Sequence, residues 1–294
     1  MDRLVATRVR LYPTPEQEVA FAKVAGCCRL VYNLGLEQRR DHWRRHKSAT
    51  GKSISWFSQK KELSALKDAF GFLKEVPAHC LQQALANLDT AYVRFFEGKS
   101  GYPKPRRRFE NDSFAFPDPA QIELAPSRGL LYLPKFNGSP RKDDNGPIHA
   151  IFHRKIRGEL RSITVSRSGT RWYASILTRV KVKASAERPA TVAGATGLDR
   201  GVSVPVATAR GQMLGRTIET GRMREREKRL RRAIARCEEG SANRRKAKMA
   251  LAAHKAKMAR RRADMLHKVS SHLVKNHDTI AIEALAVQSM TASA

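Results

Sequence analysis

The chain has little cysteine, and what it has suits neither a covalent staple nor a metal. Its four cysteines, Cys27, Cys28, Cys80 and Cys237, include no CxxC pair. Adjacent Cys27 and Cys28 are badly placed to bridge each other, so no disulfide framework and no zinc ribbon is written here. They read as reduced, mostly buried thiols of a cytosolic protein. A glycine-rich phosphate loop and a Ser–His–Asp arrangement are both missing. The opening MDRLVATRVRLYPT lacks the apolar run of a signal peptide, and no stretch approaches the ~18 apolar residues of a membrane span. These absences argue against a secreted scaffold, a membrane partner and a small-molecule substrate.

Acidic residues are also scarce, and that shortage is informative. Lys and Arg number 57 against 27 Asp and Glu, a formal charge of +30. A folded body with that surplus repels itself unless a polyanion screens it. Nucleic acid is the polyanion that fits, because each neutralised phosphate releases condensed counterions. The 41% of apolar residues is nevertheless enough to build real cores, and 294 residues imply two or three domains.

Along the chain, Leu4, Ala6, Arg8 and Arg10 alternate with Val5, Val9 and Leu11, as a half-exposed strand does. Thr14-Pro15 then marks a helix start, with threonine as N-cap and proline at the first helical position. Phe21, Val24, Cys28 and Val31 follow at helical spacing, and Arg39, Arg40, Arg44 and Arg45 crowd the far end near Arg45. A second helix is predicted from Pro77 to Glu97, its stripe of Leu81, Leu85, Leu88, Tyr92, Phe95 and Phe96 forming core. Beyond Gly98, Tyr102, Lys104, Arg106, Arg107, Arg108 and Phe109 lie on a proline-stiffened strip. Its cations can meet phosphates and its rings can stack on bases; a solvated linker reads equally well. Residues 112–183 break into short strands, with a hairpin across Ser166–Thr170, and suggest a small barrel partly closed by the N-terminal strand. Ala184–Ala195 is a linker.

In the last third, Gly197-Leu198-Asp199 ends one short strand, Val202, Val204 and Val206 share a face of the next, and Ile280-Ala281-Ile282-Glu283 leads to Leu285 in a third. Between them lies a helical hairpin broken at Glu239–Asn243. It has 18 Lys or Arg against five acidic residues over 222–268, which suits a phosphate track; Arg231, Arg232, Arg244, Arg245 and Lys246 are its candidate contacts. His254 and His267 read as solvated or satisfied side chains of these helices. Asp199 and Glu283 are the candidate catalytic and metal-ligating pair. On neighbouring strands they would share one sheet edge, and paired carboxylates suit Mg²⁺, a hard cation that takes oxygen ligands. Strand-end carboxylates are also common as turn residues or helix caps.

Several ordered blocks together resemble the TnpB (OrfB-type) family of transposon-encoded proteins. They are Arg10–Gln17, Gly26–Asn33, Phe95–Lys99 with Gly101–Pro103, Gly197–Val202, Arg262–Ser270 and Ile280–Leu285. The resemblance implies an α+β multidomain architecture. A wedge-type β-barrel (1–12 and 103–188) carries an inserted helical recognition domain (13–102). A partial RuvC-like, RNase H-fold domain (189–294) with a long basic helical hairpin follows. It implies a guide RNA and a double-stranded DNA target as partners, with base pairing supplying sequence choice, in the bacterial cytoplasm and at the nucleoid. Asp199 and Glu283 then take the first two acidic positions, with Mg²⁺ as the expected cofactor. The family's zinc ribbon and third catalytic Asp are not found before Ala294, so no zinc and impaired cleavage are expected of the chain as given. The alternative is a non-catalytic RNA- or DNA-binding regulator of transposition or transcription. A cut-and-paste transposase is a weaker third reading, since no further acidic residue of the strand-transfer kind is seen.

Overall fold

The N-terminal alternation does become a strand, β1 (Asp2–Tyr12), with Val9 and Leu11 buried and Leu4 turned to solvent. In this computed structural model, residues 2–50, 54–108, 112–134, 146–181, 194–201, 205–216 and 219–284 are described. They fall in two units, Met1–Lys183 and Ala184–Ala294. Phe109, Val202, Val204, Leu285 and most of the expected linker lie outside the described residues.

In the first unit β1 is followed by helices α1 (Pro15–Thr50), α2 (Trp56–Ala69) and α3 (Ala78–Phe96). Strands β2 (Ser113–Phe116), β3 (Glu123–Ala125), β4 (Leu130–Tyr132), β5 (Ile148–Ile151), β6 (Glu159–Ser168) and β7 (Arg171–Lys181) come next. The sheet order is β2-β6-β7-β1-β5-β4-β3, antiparallel throughout. The first strand in sequence is thus central, running against β7 from Asp2↔Lys181 to Leu11↔Trp172. The expected barrel is an open, curled half-barrel: among the described residues no ladder joins its edges, β2 and β3. Edge strands of three or four residues offer too few ladder bonds for the stagger that closure needs.

Thr14 and Gln17 close a capping box at the start of α1. The Gln17 amide donates to Thr14 Oγ1 at 3.3 Å, and the Thr14 amide donates to Gln17 Oε1 at 3.0 Å. Phe21, Val24, Cys28 and Val31 of α1 are buried in one core with Leu81, Leu85, Leu88 and Tyr92 of α3 and the inner face of the sheet. Contrary to the sequence reading, α1 contains a window long and apolar enough to cross a membrane by composition; half of that window is buried, and the four side chains just named lie in this core. At Gly35 a β-carbon would come within 2.9 Å of Leu85 Cδ2, so glycine permits the close approach of α1 to α3. Two further readings need correction. Phe96 is 73% exposed, because the 100° step from half-buried Phe95 carries it off the stripe. Helix α2 was not anticipated; it buries only Gln59 and Leu63, too few for a periodic signal.

The second unit orders its strands β10-β9-β8-β11, from β8 (Ala195–Asp199), β9 (Val206–Thr208), β10 (Met213–Leu214) and β11 (Thr279–Ile282). The expected helical hairpin is α4 (Gly221–Ala235) and α5 (Ala242–Asn276), with Gly240 at φ +81° in the turn and Ser241 capping the Arg244 amide. Helix α4 buries no side chain and α5 only Met258, Val269 and Leu273. Most of the hairpin's basic surface therefore faces water.

Candidate metal centre and nucleic-acid interface

Strand β8 lies between β9, antiparallel, and β11, parallel. The β8–β11 register runs Thr279↔Ala195 to Ile282↔Leu198. Carried one residue further, it sets Glu283 opposite Asp199 at the carboxyl ends of two adjacent strands. Both residues are exposed. Arg200 reaches across: its Nη2 donates to the Glu283 carbonyl oxygen at 2.9 Å, tying the two strand ends together. The donor set, two solvent-accessible carboxylates at the ends of neighbouring strands, offers oxygen ligands of the kind a hard divalent cation takes. Among the described residues, no group of three or more His, Cys, Asp or Glu suited to a metal occurs.

The basic strip is pinned by residues that the sequence reading did not assign to it. Asn33 binds the Arg106 backbone on both sides: the Arg106 amide donates to Asn33 Oδ1 at 2.8 Å, and Asn33 Nδ2 donates to the Arg106 carbonyl at 3.0 Å. The Arg106 guanidinium stacks over the Tyr32 ring at 3.9 Å, and burial lowers its pKa. Arg106 therefore serves the clasp, whereas Lys104, Arg107 and Arg108 are exposed. Asp112, just beyond the strip, pairs with Arg29 at 2.9 Å. Tyr102 is 44% exposed, and its hydroxyl lies 3.0 Å from that of Tyr92. An aromatic–Asn pair on a helix was the available signal, but its partner 73 residues away could not be read locally.

Asn33→Ala would strip two backbone groups of their partners, at about 1–3 kcal/mol for each that stays dry. Limited trypsin digestion is expected to cut after Arg106 or Arg107 about tenfold faster in this variant; an unchanged rate would show that the clasp does not order the strip.

On the hairpin, the candidates divide. Arg231 is engaged by Glu227, with Nε and Nη2 at 3.0 and 2.8 Å, and Arg244 lies 3.6 Å from Glu239. Arg232, Arg245 and Lys246 are exposed. Among the arginines at the far end of α1, Arg39 is structural: it bonds Gln59 at 3.0 Å and Asp89 at 2.8 Å with only 9% of its side chain exposed. Cys27, Cys28 and Cys80 are free and buried, and burial pushes the Cys28 thiol up to about 12.

The chain is similar to known proteins in both sequence and fold. Residues 1–48 match a family model described as a helix-turn-helix domain of the OrfB type, although here they form β1 and most of a single helix. Residues 175–294 match the OrfB model described as a probable transposase. A protein of Escherichia coli (strain K12) named as RNA-guided DNA endonuclease InsQ is 31% identical over the whole chain, which spans 69% of that protein. One from Streptomyces pristinaespiralis, also named as an RNA-guided DNA endonuclease, is 32% identical over 97% of the chain and 68% of its own length. In fold, the chain resembles Cas12f1 as seen in a cryo-EM complex with sgRNA and target DNA. The TM-score is 0.51 at 10% identity, over 97% of this chain and 81% of that one. The chain belongs to the OrfB, or TnpB-type, family of RNA-guided DNA endonucleases and transposases.

Proposed function

We propose that the chain acts in RNA-guided cutting of DNA, holding a guide RNA and its paired DNA strand on basic surfaces and contributing Asp199 and Glu283 to a metal-dependent nuclease centre. The observation that carries this reading is the parallel, in-register pairing of β8 with β11, whose ends bear the two acids. In this reading the curled sheet is a wedge-type domain, the helices between β1 and β2 are its inserted recognition domain, and the second unit is RuvC-like. Likeness of fold to Cas12f1 supports that assignment.

Each part has a physical task. Base pairing selects the target, so the protein needs shape-reading cations rather than a base-reading module, and the exposed hairpin provides them. Asp199 and Glu283 are the residues that would hold Mg²⁺, and Arg200 keeps their strand ends in register. A divalent cation there supplies Lewis acidity for phosphodiester hydrolysis.

The test uses the protein purified with its co-expressed RNA. Any cutting of plasmid DNA matching that RNA is expected to need Mg²⁺, to stop when a chelator is added, and to spare mismatched plasmid. RNA retained without any cut in Mg²⁺ would favour the non-catalytic binder instead. If no RNA is retained, the RNA-guided reading fails and only a DNA-binding regulator is left.

A further inference from the structure

The end of α3 carries an aromatic ledge that neither the metal centre nor the hairpin uses. Phe96, in its last turn, is 73% exposed, and Val93 beside it is 49% exposed. Three rings back it. Tyr92 runs nearly parallel to Phe96, at 6.2 Å between centroids and 25° between planes, and Phe95 lies 5.3 Å away. Tyr102 stands edge-on to both Phe95 (5.4 Å, 84°) and Tyr92 (5.7 Å, 89°). The hydroxyl contact between Tyr92 and Tyr102 locks the group, and Tyr92 is buried. Phe96 therefore presents its ring from a rigid support rather than from a loose surface side chain.

We propose that Phe96 is a stacking platform for an unpaired base of the guide RNA, with the flanking phosphates met by Lys104 and Arg107. This rests on the proposed function and deepens it by naming a contact. A single exposed phenylalanine is ordinary, but Phe96 and Tyr102, both exposed beside Val93 on a base of packed rings, form an apolar patch of the kind that marks a binding surface. Its surroundings choose the partner. Arg94, Lys99, Lys104 and Arg107 are all exposed nearby in sequence, on a chain of formal charge +30. The clasp at Arg106 fixes the backbone between Lys104 and Arg107. Rings interleaved with cations are the chemistry of single-stranded nucleic acid: the ring takes the base and the cations track the backbone. RNA is the source because the ledge needs permanent cover. A guide RNA stays with the protein between targets, whereas DNA visits.

The experiment measures binding of a labelled single-stranded oligouridylate of about 12 nucleotides by fluorescence anisotropy, with oligothymidylate of the same length beside it. Phe96→Ala is expected to weaken RNA binding about tenfold with its salt dependence unchanged, as loss of stacking without loss of phosphate contacts requires. Phe96→Trp is expected to bind as the parent does, its added emission quenched by stacking. Phe72→Ala, at an exposed ring elsewhere in the unit (41%), is expected to change affinity less than twofold. The inference is overturned if Phe96→Ala binds within twofold of the parent, if Phe72→Ala loses as much, or if the loss is confined to the DNA oligomer. RNA binding that ignores Phe96 would leave the proposed function standing; absence of RNA binding would remove both.

Discussion

Phe21→Ala is expected to lower the unfolding free energy of the N-terminal unit by about 3–5 kcal/mol. Phe21 has no exposed surface, and its ring lies 5.2 Å from Trp172 at 69° and 5.7 Å from Phe114 at 60°. It is thus the point where α1 bears on strands β7 and β2 together. Removing the ring forfeits its transfer out of water, one edge-to-face and one tilted ring contact, and leaves a cavity between a helix and a sheet. Neither wall can close that space cheaply, because the backbone of each is tied by its own hydrogen bonds, with β7 laddered on both sides. Against a total stability of 5–15 kcal/mol typical of domains, the loss is large. Urea unfolding followed by tryptophan emission reports it directly, since Trp172 is a neighbour. Phe21→Leu, which refills most of the volume, is expected to cost about 1–1.5 kcal/mol. An alanine variant losing less than that would mean the helices and the sheet do not share one tight core.

What the sequence made legible follows the range of the interaction concerned. Thr14 and Pro15 announce the helix start because every partner lies within one turn, and the structure adds Gln17 to the cap. The stripe from Leu81 to Tyr92 and the break at Glu239–Asn243 are equally local. Phe96 misled because periodicity assigns a face but does not say where the neighbouring surface ends. The barrel was over-read for a similar reason: alternation in β1 shows which side is wet, yet its partners lie up to 179 positions away, from Asp2 to Lys181. Arg106, Arg231 and Arg39 look alike as cations in a string of letters. Only their partners, Tyr32, Glu227 and Asp89 respectively, separate clasp, ion pair and core strut. The pairing of β8 with β11, on which the reading of Asp199 and Glu283 depends, is one long-range contact between two short apolar strands.

Asp199→Ala is expected to reduce Mg²⁺-dependent cleavage by on the order of 10²–10³-fold, the scale of losing one fixed charge-stabilising group in a reaction centre. Its effect on stability carries the physical argument. Asp199 is exposed at a strand end, opposite Glu283 by register. Two carboxylates so placed repel, and the nearby Arg200 has one nitrogen committed to the Glu283 carbonyl. Their juxtaposition is therefore a cost to the fold unless a cation offsets it, as is common where function sets the residue. Without metal, the variant is expected to match or slightly exceed the parent in thermal midpoint. Adding Mg²⁺ should then raise the parent's midpoint by mass action, by as much as ~2.7 kcal/mol of stability at a hundredfold excess over the dissociation constant, and leave the variant unmoved. Retention of RNA should be equal in both, since neither acid belongs to the basic surfaces. Asp199 has no metal role if its removal destabilises the metal-free protein, or if the Mg²⁺-dependent rise survives in its absence.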